Sequence, residues 1–113
     1  MGWGQVYGVR AVAYHLGMAL LQAVKEKKAE IARIADRHGA RNVRVFGSVA
    51  RGEERDDSDI DFLVVMDPDR SLFDQASLLV DLEELLGRGI DVVTEPSLRS
   101  RFRERVLAEA VAI

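Results

Sequence analysis

Cysteine is absent from the 113-residue sequence, which excludes disulfide bonds and thiolate metal sites. Long apolar segments are also lacking. Tyr14, His15 and Gln22 interrupt the run at residues 11–24, which does not reach the roughly 18 apolar residues of a membrane span. Only Arg10 precedes this run as a positive charge, so a signal peptide is the less favoured interpretation. These absences predict a cytoplasmic protein that does not enter a membrane.

An excess of positive charge is missing as well. The 16 lysine and arginine residues are outnumbered by 19 aspartate and glutamate residues, which gives a formal net charge of −3. An extended surface for binding nucleic acid is therefore not expected, and any such contact should be local. The length, with 48% hydrophobic and 31% charged residues, predicts a single domain over residues 1–113, in which residues 1–8 form a loose extension.

The centre of the sequence has the pattern of a strand, a polar turn and a second strand. The β-rich residues 43–46 end at Gly47 and Ser48, where a residue without Cβ and a short hydroxyl allow a tight turn and the close approach of a ligand. Free backbone N–H groups at such a turn attract phosphate, and Arg51 is near enough to contact it with its planar guanidinium. The segment therefore predicts a nucleotide-binding turn formed by Gly47, Ser48 and Arg51. The structural alternative is that Ser48 only caps the turn and that Arg51 is solvated.

Acidic residues stand at the start of the two strands that follow. Asp59 and Asp61 are expected on the same face of the second strand, with Cα atoms roughly 7 Å apart, because side chains alternate along a strand. Asp91 begins the third strand, residues 90–93, although an aspartate there is often only part of a turn. Carboxylates that converge without a cation repel one another, and two metal ions about 3.5–4 Å apart are the usual arrangement for displacement at phosphorus. The three aspartates are thus candidate catalytic metal ligands.

Helical periodicity accounts for much of the remaining chain. Residues 9–38 fit one long helix or two short ones that end at Gly39, and the segment around Pro68 ends the second strand. Another helix is predicted from the N-cap Ser71 to Gly87, with Asp74 completing a capping box. The buried stripe expected for this helix consists of Leu72, Ala76, Leu79, Leu82 and Leu86.

A last helix is predicted from residues 95–97 onward, because Pro96 suits the first helical turn. Its apolar residues recur at four-residue steps, at Leu98, Phe102, Val106 and Ala110. The complete order of elements, αβ(α)βαβα, predicts an α/β (α+β) fold in which helices flank a small mixed β-sheet.

The spacing of Gly47-Ser48, ten residues and Asp59-x-Asp61 resembles the signature of the DNA polymerase β-like nucleotidyltransferase superfamily. The resemblance implies that Gly47 and Ser48 hold an incoming triphosphate, that Asp59 and Asp61 bind magnesium, and that Asp91 is the third carboxylate. It covers residues 20–113. Within the superfamily, the short length and the tail at residues 98–113 are similar to the minimal nucleotidyltransferases, which are usually the antitoxin partners of HEPN-domain toxins.

This resemblance implies a magnesium-dependent enzyme that transfers AMP from ATP to a hydroxyl group, with two Mg²⁺ ions held by Asp59, Asp61 and Asp91. Because nearly all residues are assigned to the transfer core, the acceptor is expected to be a partner protein. The resemblance implies that this partner is a HEPN toxin modified on a tyrosine. Two alternatives stay open: an antitoxin that silences its partner by binding alone, and the catalytic subunit of a two-chain small-molecule adenylyltransferase. Candidate docking surfaces are the exposed sides of the first helix and of the last one, where Arg99, Arg101, Arg103 and Arg105 stand. The alternative is that the arginines of the last helix are merely solvated.

Overall fold

The computed structural model of the protein describes residues 20–55 and 57–113. Helix α1 comprises the helical residues 20–26, and α2 is Lys28–Arg37, with a break at Lys27. The described part of the predicted helical segment therefore forms two helices, whereas residues 1–19 lie outside the described residues. The predicted end at Gly39 is confirmed, since its N–H donates to the Asp36 carbonyl just after α2.

Four strands form one mixed sheet in the order β3-β2-β1-β4. β1 is Ala40–Phe46, β2 is Ile60–Met66, β3 is Ile90–Thr94 and β4 is Val111–Ala112. β1 pairs antiparallel with both β2 and β4, whereas β2 and β3 are parallel. The predicted fold class, a small mixed sheet flanked by helices, is confirmed.

Two helices connect the strands that form the centre of the sheet. The short helix α3, Gly47–Arg51, follows β1 directly, and α4, Leu72–Leu86, crosses from β2 to β3 and so permits their parallel pairing. The predicted cap of α4 is confirmed, because the Phe73 N–H donates to Ser71 Oγ at 3.2 Å and the Ser71 N–H donates to Asp74 Oδ2 at 2.9 Å. In the described part of the chain, none of the helices has the length and apolar character needed to cross a membrane.

The predicted buried stripe of α4 is wrong at its N-terminal end. Leu78 and Leu82 are buried against the sheet, whereas Leu72 is 81% exposed and Ala76 is exposed. Phe73 is also exposed, so neither apolar residue of the first turn of α4 belongs to the core. Periodicity identifies an apolar face, but where that face meets the sheet depends on the tertiary arrangement.

The C-terminal helix begins later than predicted. Glu95–Ser97 forms a 3₁₀ turn, and the helix α5 is Ser100–Glu109. Leu98 between them is extended and only 7% exposed, packed with Phe46, so the chain must leave the helical path in order to bury it. After α5 the chain forms the strand β4 instead of continuing the helix, and a strand of two residues leaves no alternation in the sequence to detect.

Apolar side chains are buried on both faces of the sheet. The fully buried residues of β2 that face α2 and α4 are Ile60, Phe62 and Val64. Leu63, on the opposite face, packs with Val106 of α5. Asp61 shares that second face, because side chains alternate along a strand. The core therefore holds the N-terminal end of β2 between two apolar layers and turns Asp61 toward α5.

We expect Leu82→Ala to lower the free energy of unfolding by about 2–5 kcal/mol, because Leu82 is 1% exposed and its truncation leaves a cavity. Leu72→Ala on the same helix is the matched control, and its effect should stay within about 0.5 kcal/mol since Leu72 is largely exposed. Urea denaturation of both variants measures the difference. Equal losses for the two variants would contradict the burial of α4 described above.

Candidate functional site

The turn between β1 and α3 depends on glycine at position 47. Gly47 has a φ of +77°, a backbone conformation that residues with a Cβ rarely adopt. A Cβ at this position would overlap Asp61 Oδ2 and lie 3.2 Å from Asp61 Cγ. Glycine is therefore required twice, once for the turn and once for the close approach of the Asp61 carboxylate to the backbone.

Ser48 is the second residue of α3, and the N-cap position of that helix is Phe46, which makes no side-chain capping bond. The alternative in which Ser48 only caps the turn is therefore not the arrangement observed. Ser48 is half-buried and lies next to Gly47, so its hydroxyl belongs to the same small surface as the Gly47 N–H and the Asp61 carboxylate.

Asp61 and Asp91 are directly opposite each other in the parallel ladder of β2 and β3. Neighbouring strands lie about 4.8 Å apart, and in-register residues face the same side of a sheet. The carboxylate of Asp59, just before β2, lies against the backbone of Gly89, where a Cβ would stand 3.1 Å from Asp59 Cγ. Asp59 and Asp91 are exposed and Asp61 is half-buried, so the three candidate ligands line one edge that is open to solvent.

The electrostatics of Asp61 reflect this arrangement. The pKa of Asp61 is raised from 3.8 to about 6, chiefly by burial of the carboxyl group and then by the negative charges of Asp91 and Asp59. Glu109 adds a smaller effect of the same sign, whereas the positive charge of Arg51 lowers the pKa. A group whose charged form is disfavoured in this way gains from any cation that binds beside it.

Oxygen is the only donor type that these aspartates offer, which suits a hard cation such as Mg²⁺. Within residues 20–55 and 57–113, no three His, Cys, Asp or Glu side chains are already drawn together closely enough to hold a metal ion. That observation does not conflict with the donor chemistry, because Mg²⁺ is usually bound by one or two carboxylates together with waters and substrate phosphates. The in-register pair Asp61 and Asp91 provides such a partial set.

Glu109, the last residue of α5, is part of the site and was missed in the sequence. Its Oε2 accepts a hydrogen bond from the Gly47 N–H at 2.8 Å, and its two carboxylate oxygens lie 3.1 and 3.2 Å from Arg51 Nη1. Arg51 Nε also donates to Glu53 at 2.9 Å, so the predicted phosphate ligand is paired with two carboxylates. Gly47 and Glu109 are far apart in sequence, and no local pattern could have brought them together.

A small cleft of about 290 Å³ joins these groups. Its lining includes Gly47, Ser48, Arg51, Asp61, Arg105 and Glu109. Phe102 of α5 also lines this cleft and is 44% exposed. Two larger cavities, of about 540 and 640 Å³, lie away from the aspartates. We place the chemistry at the smaller cleft, because its lining includes Asp61, Arg51 and the Gly47 turn.

The raised pKa of Asp61 predicts how the stability of the metal-free protein depends on pH. The native state binds a proton at Asp61 more tightly than the unfolded chain does, so this residue's contribution to stability is present below about pH 4 and is lost as the pH rises through about 6. Urea denaturation in the presence of a chelator, compared with Asp61→Asn, isolates that contribution. A stability difference between the two proteins that stays constant from about pH 4 to about pH 7 would contradict it.

A family model and several known proteins are similar in sequence to this chain. The family model described as nucleotidyltransferase domain matches residues 20–113. A candidate protein adenylyltransferase of Methanocaldococcus jannaschii is 40% identical over 90 residues, which cover 80% of this chain and 97% of that protein. The protein adenylyltransferase MntA of Thermococcus cleftensis is 41% identical over 80 residues, which cover 71% of this chain and 81% of MntA.

Several solved structures superimpose on this chain and share its fold. The structure of a candidate minimal nucleotidyltransferase superimposes with a TM-score of 0.74 at 47% identity, covering 82% of this chain and 95% of that one. A crystal structure of a toxin–antitoxin with AMP-PNP superimposes with a TM-score of 0.63 over 74% of this chain and 69% of that one. At 20% identity the latter likeness concerns the fold alone.

Proposed function

The chain belongs to the nucleotidyltransferase-domain family, and from that premise we propose that it transfers AMP from ATP to a hydroxyl group of a partner protein, with magnesium as cofactor. The observation that carries the proposal is the direct register of Asp61 with Asp91 beside the Gly47 turn. This register brings candidate metal ligands and candidate phosphate ligands to one edge of the sheet. Transfer of AMP requires both, because the α-phosphorus is attacked while the departing pyrophosphate is held.

Each predicted site residue has a role in this reaction. Asp59, Asp61 and Asp91 would hold the magnesium, which supplies charge neutralisation of the triphosphate and a lowered pKa for the acceptor hydroxyl. The N–H of Gly47 and the hydroxyl of Ser48 can donate to phosphate oxygens. Arg51 offers a planar guanidinium at the same cleft once its carboxylate partners give way.

A protein acceptor fits the size of the cleft. About 290 Å³ accommodates the phosphates of a nucleotide but not a whole nucleotide together with an acceptor molecule. The acceptor must therefore approach from the open side, which suits a side chain on the surface of another protein. Three of the arginines proposed for docking are exposed on α5 or just before it, namely Arg99, Arg101 and Arg105.

We propose further that the partner is a toxin, that it carries a HEPN domain and a tyrosine acceptor, and that both proteins act in the cytoplasm. The relatives named as protein adenylyltransferases support transfer to a protein. Likeness of fold to toxin–antitoxin structures supports the choice of a toxin as the partner.

The test is intact-mass spectrometry of the protein encoded beside this one, co-purified and incubated with magnesium and ATP. We expect an added AMP on a tyrosine, and its absence when Asp59→Asn or Asp61→Asn replaces the parent chain. Asp69→Asn, an exposed residue of the turn after β2, is the control for loss of one negative charge and should leave the modification intact.

An antitoxin that acts by binding alone is the second candidate, and the position of Glu109 favours it. The carboxylate of Glu109 already takes the Gly47 N–H that a phosphate would use. If both aspartate variants silence the partner as well as the parent chain does, and the partner carries no added mass, this candidate replaces the enzyme. Labelled AMP on a small molecule instead of the partner would favour the two-chain small-molecule enzyme.

A further inference from the structure

Glu109 occupies the position where the proposed function requires a phosphate group. We propose that Glu109 is an internal competitor for the phosphates of the nucleotide and so determines the affinity of the site for its substrate. The inference rests on the proposed function, because it takes Gly47 and Arg51 as the groups that meet the phosphates. The Glu109 carboxylate then covers the Gly47 turn in the free protein, and rotation of its side chain uncovers the turn when nucleotide binds.

The contacts of Glu109 match those of an anion held at this turn. One carboxylate oxygen accepts the Gly47 N–H at 2.8 Å, and both oxygens lie within 3.2 Å of Arg51 Nη1. A backbone N–H and a guanidinium are the same donors that bind phosphate oxygens in proteins. The Glu109 side chain is only 19% exposed, so its carboxylate lies in the cleft and not in the solvent. A phosphate and this carboxylate cannot use the Gly47 N–H at the same time.

The backbone around Glu109 indicates how the carboxylate would leave. Immediately after α5, β4 pairs with β1, with Val111 opposite Val45 and Ala112 opposite Arg44. Val106, one turn earlier in α5, is fully buried. Both sides of Glu109 are therefore fixed to the sheet, so rotation of its side chain releases the Gly47 N–H without displacing α5.

Charge favours this exchange when the nucleotide arrives with a cation. Without a ligand, Glu109 and the three aspartates bring like charges to the edge of the sheet, and the positive charge of Arg51 offsets part of their effect on Asp61. A magnesium–nucleotide complex brings positive charge for the aspartates and phosphate oxygens for Arg51. The departure of Glu109 then removes one negative charge from the neighbourhood of the incoming phosphates.

A purely structural role for Glu109 makes a different prediction. If the carboxylate serves only to attach α5 to α3, its replacement lowers stability and leaves ligand affinity unchanged. Glu109→Gln separates the two roles, because the amide oxygen can still accept from the Gly47 N–H while the negative charge is lost. Glu109→Ala removes both the charge and the hydrogen bond.

Isothermal titration with inorganic triphosphate and with ATP, each in magnesium, tests the proposal on the whole chain. We expect Glu109→Gln and Glu109→Ala to bind both ligands about tenfold more tightly, on the scale of one charge-assisted hydrogen bond. Glu104→Gln, an exposed residue of the same helix, is the matched control and should bind as the parent does. The two Glu109 variants should also show a lower KM for ATP.

The outcomes distinguish this proposal from the proposed function. Equal or weaker triphosphate binding by both Glu109 variants overturns the competition, even if AMP transfer to the partner is observed. Tighter triphosphate binding by the variants supports the competition, even if no AMP transfer occurs and the proposed reaction is therefore wrong. Absence of triphosphate binding in the parent and in every variant overturns it as well, since no phosphate site then exists.

Discussion

Asp61→Asn is expected to reduce AMP transfer by at least about a hundredfold, while its metal-free form unfolds at no lower a temperature than the parent protein. Asp61 lies in register with Asp91, and its carboxylate rests against Gly47, so it faces both the proposed metal and the proposed phosphates. The amide keeps the size of the side chain but removes a negative charge. That change weakens cation binding, and it removes a negative charge that burial and the repulsion by Asp91 and Asp59 both disfavour.

Transfer is measured by the mass of the partner, and stability by thermal unfolding in the presence of a chelator. Asp69→Asn removes the same charge at an exposed turn at the other end of β2, and its transfer rate should stay within about twofold of the parent. A rate for Asp61→Asn within about tenfold of the parent would mean that the cation is not held by Asp61. A large loss of stability in the metal-free variant would instead make Asp61 a structural residue.

Gly47→Ala should abolish nucleotide binding and destabilise the protein, whereas Gly87→Ala should only destabilise it. Both glycines have positive φ angles, +77° and +67°, so an alanine costs roughly 1–2 kcal/mol of backbone strain at either position. The surroundings differ. A Cβ at Gly47 would overlap the Asp61 carboxylate, while a Cβ at Gly87 meets no atom within 4 Å. The pair therefore separates backbone strain from damage to the site.

Titration with magnesium-ATP measures the nucleotide affinity of the two glycine variants, and urea denaturation measures their stability. We expect Gly87→Ala to retain the affinity of the parent, and Gly47→Ala to lose more stability than Gly87→Ala because Asp61 must also move. Parental affinity in Gly47→Ala would show that the Gly47 turn does not contact the nucleotide. The same result would contradict the proposed role of Glu109.

Local spacing carried most of what the sequence could predict about the fold. The alternating strands, the capping box at Ser71 and the helix end at Gly87 depend on residues close in the chain, and the structure contains them. The resemblance to nucleotidyltransferases rested on the equally local spacing from Gly47 to Asp61, and the family match over residues 20–113 confirms it. The roles of the individual site residues stay predictions.

Features that depend on distant contacts could not be read from the sequence. Glu109 lies three residues after the buried Val106 and so on the same side of α5, but nothing nearby in the chain shows that this side meets the Gly47 turn. The 3₁₀ turn before α5 is followed by the buried Leu98, and Leu72 at the start of α4 is left outside the core. In each case tertiary packing, and not local preference, decides the outcome.

Because β2 and β3 are parallel and joined by α4, the two strands can pair only after a long loop has closed. We therefore expect Asp61 and Asp91 to meet late in folding, when β3 pairs with β2. A cation that binds only the assembled pair of aspartates does not stabilise the folding transition state, in which the pair has not yet formed. Its binding therefore lowers the rate of unfolding. Magnesium would then slow unfolding and leave the folding rate nearly unchanged, so it would act by prolonging the lifetime of the native state.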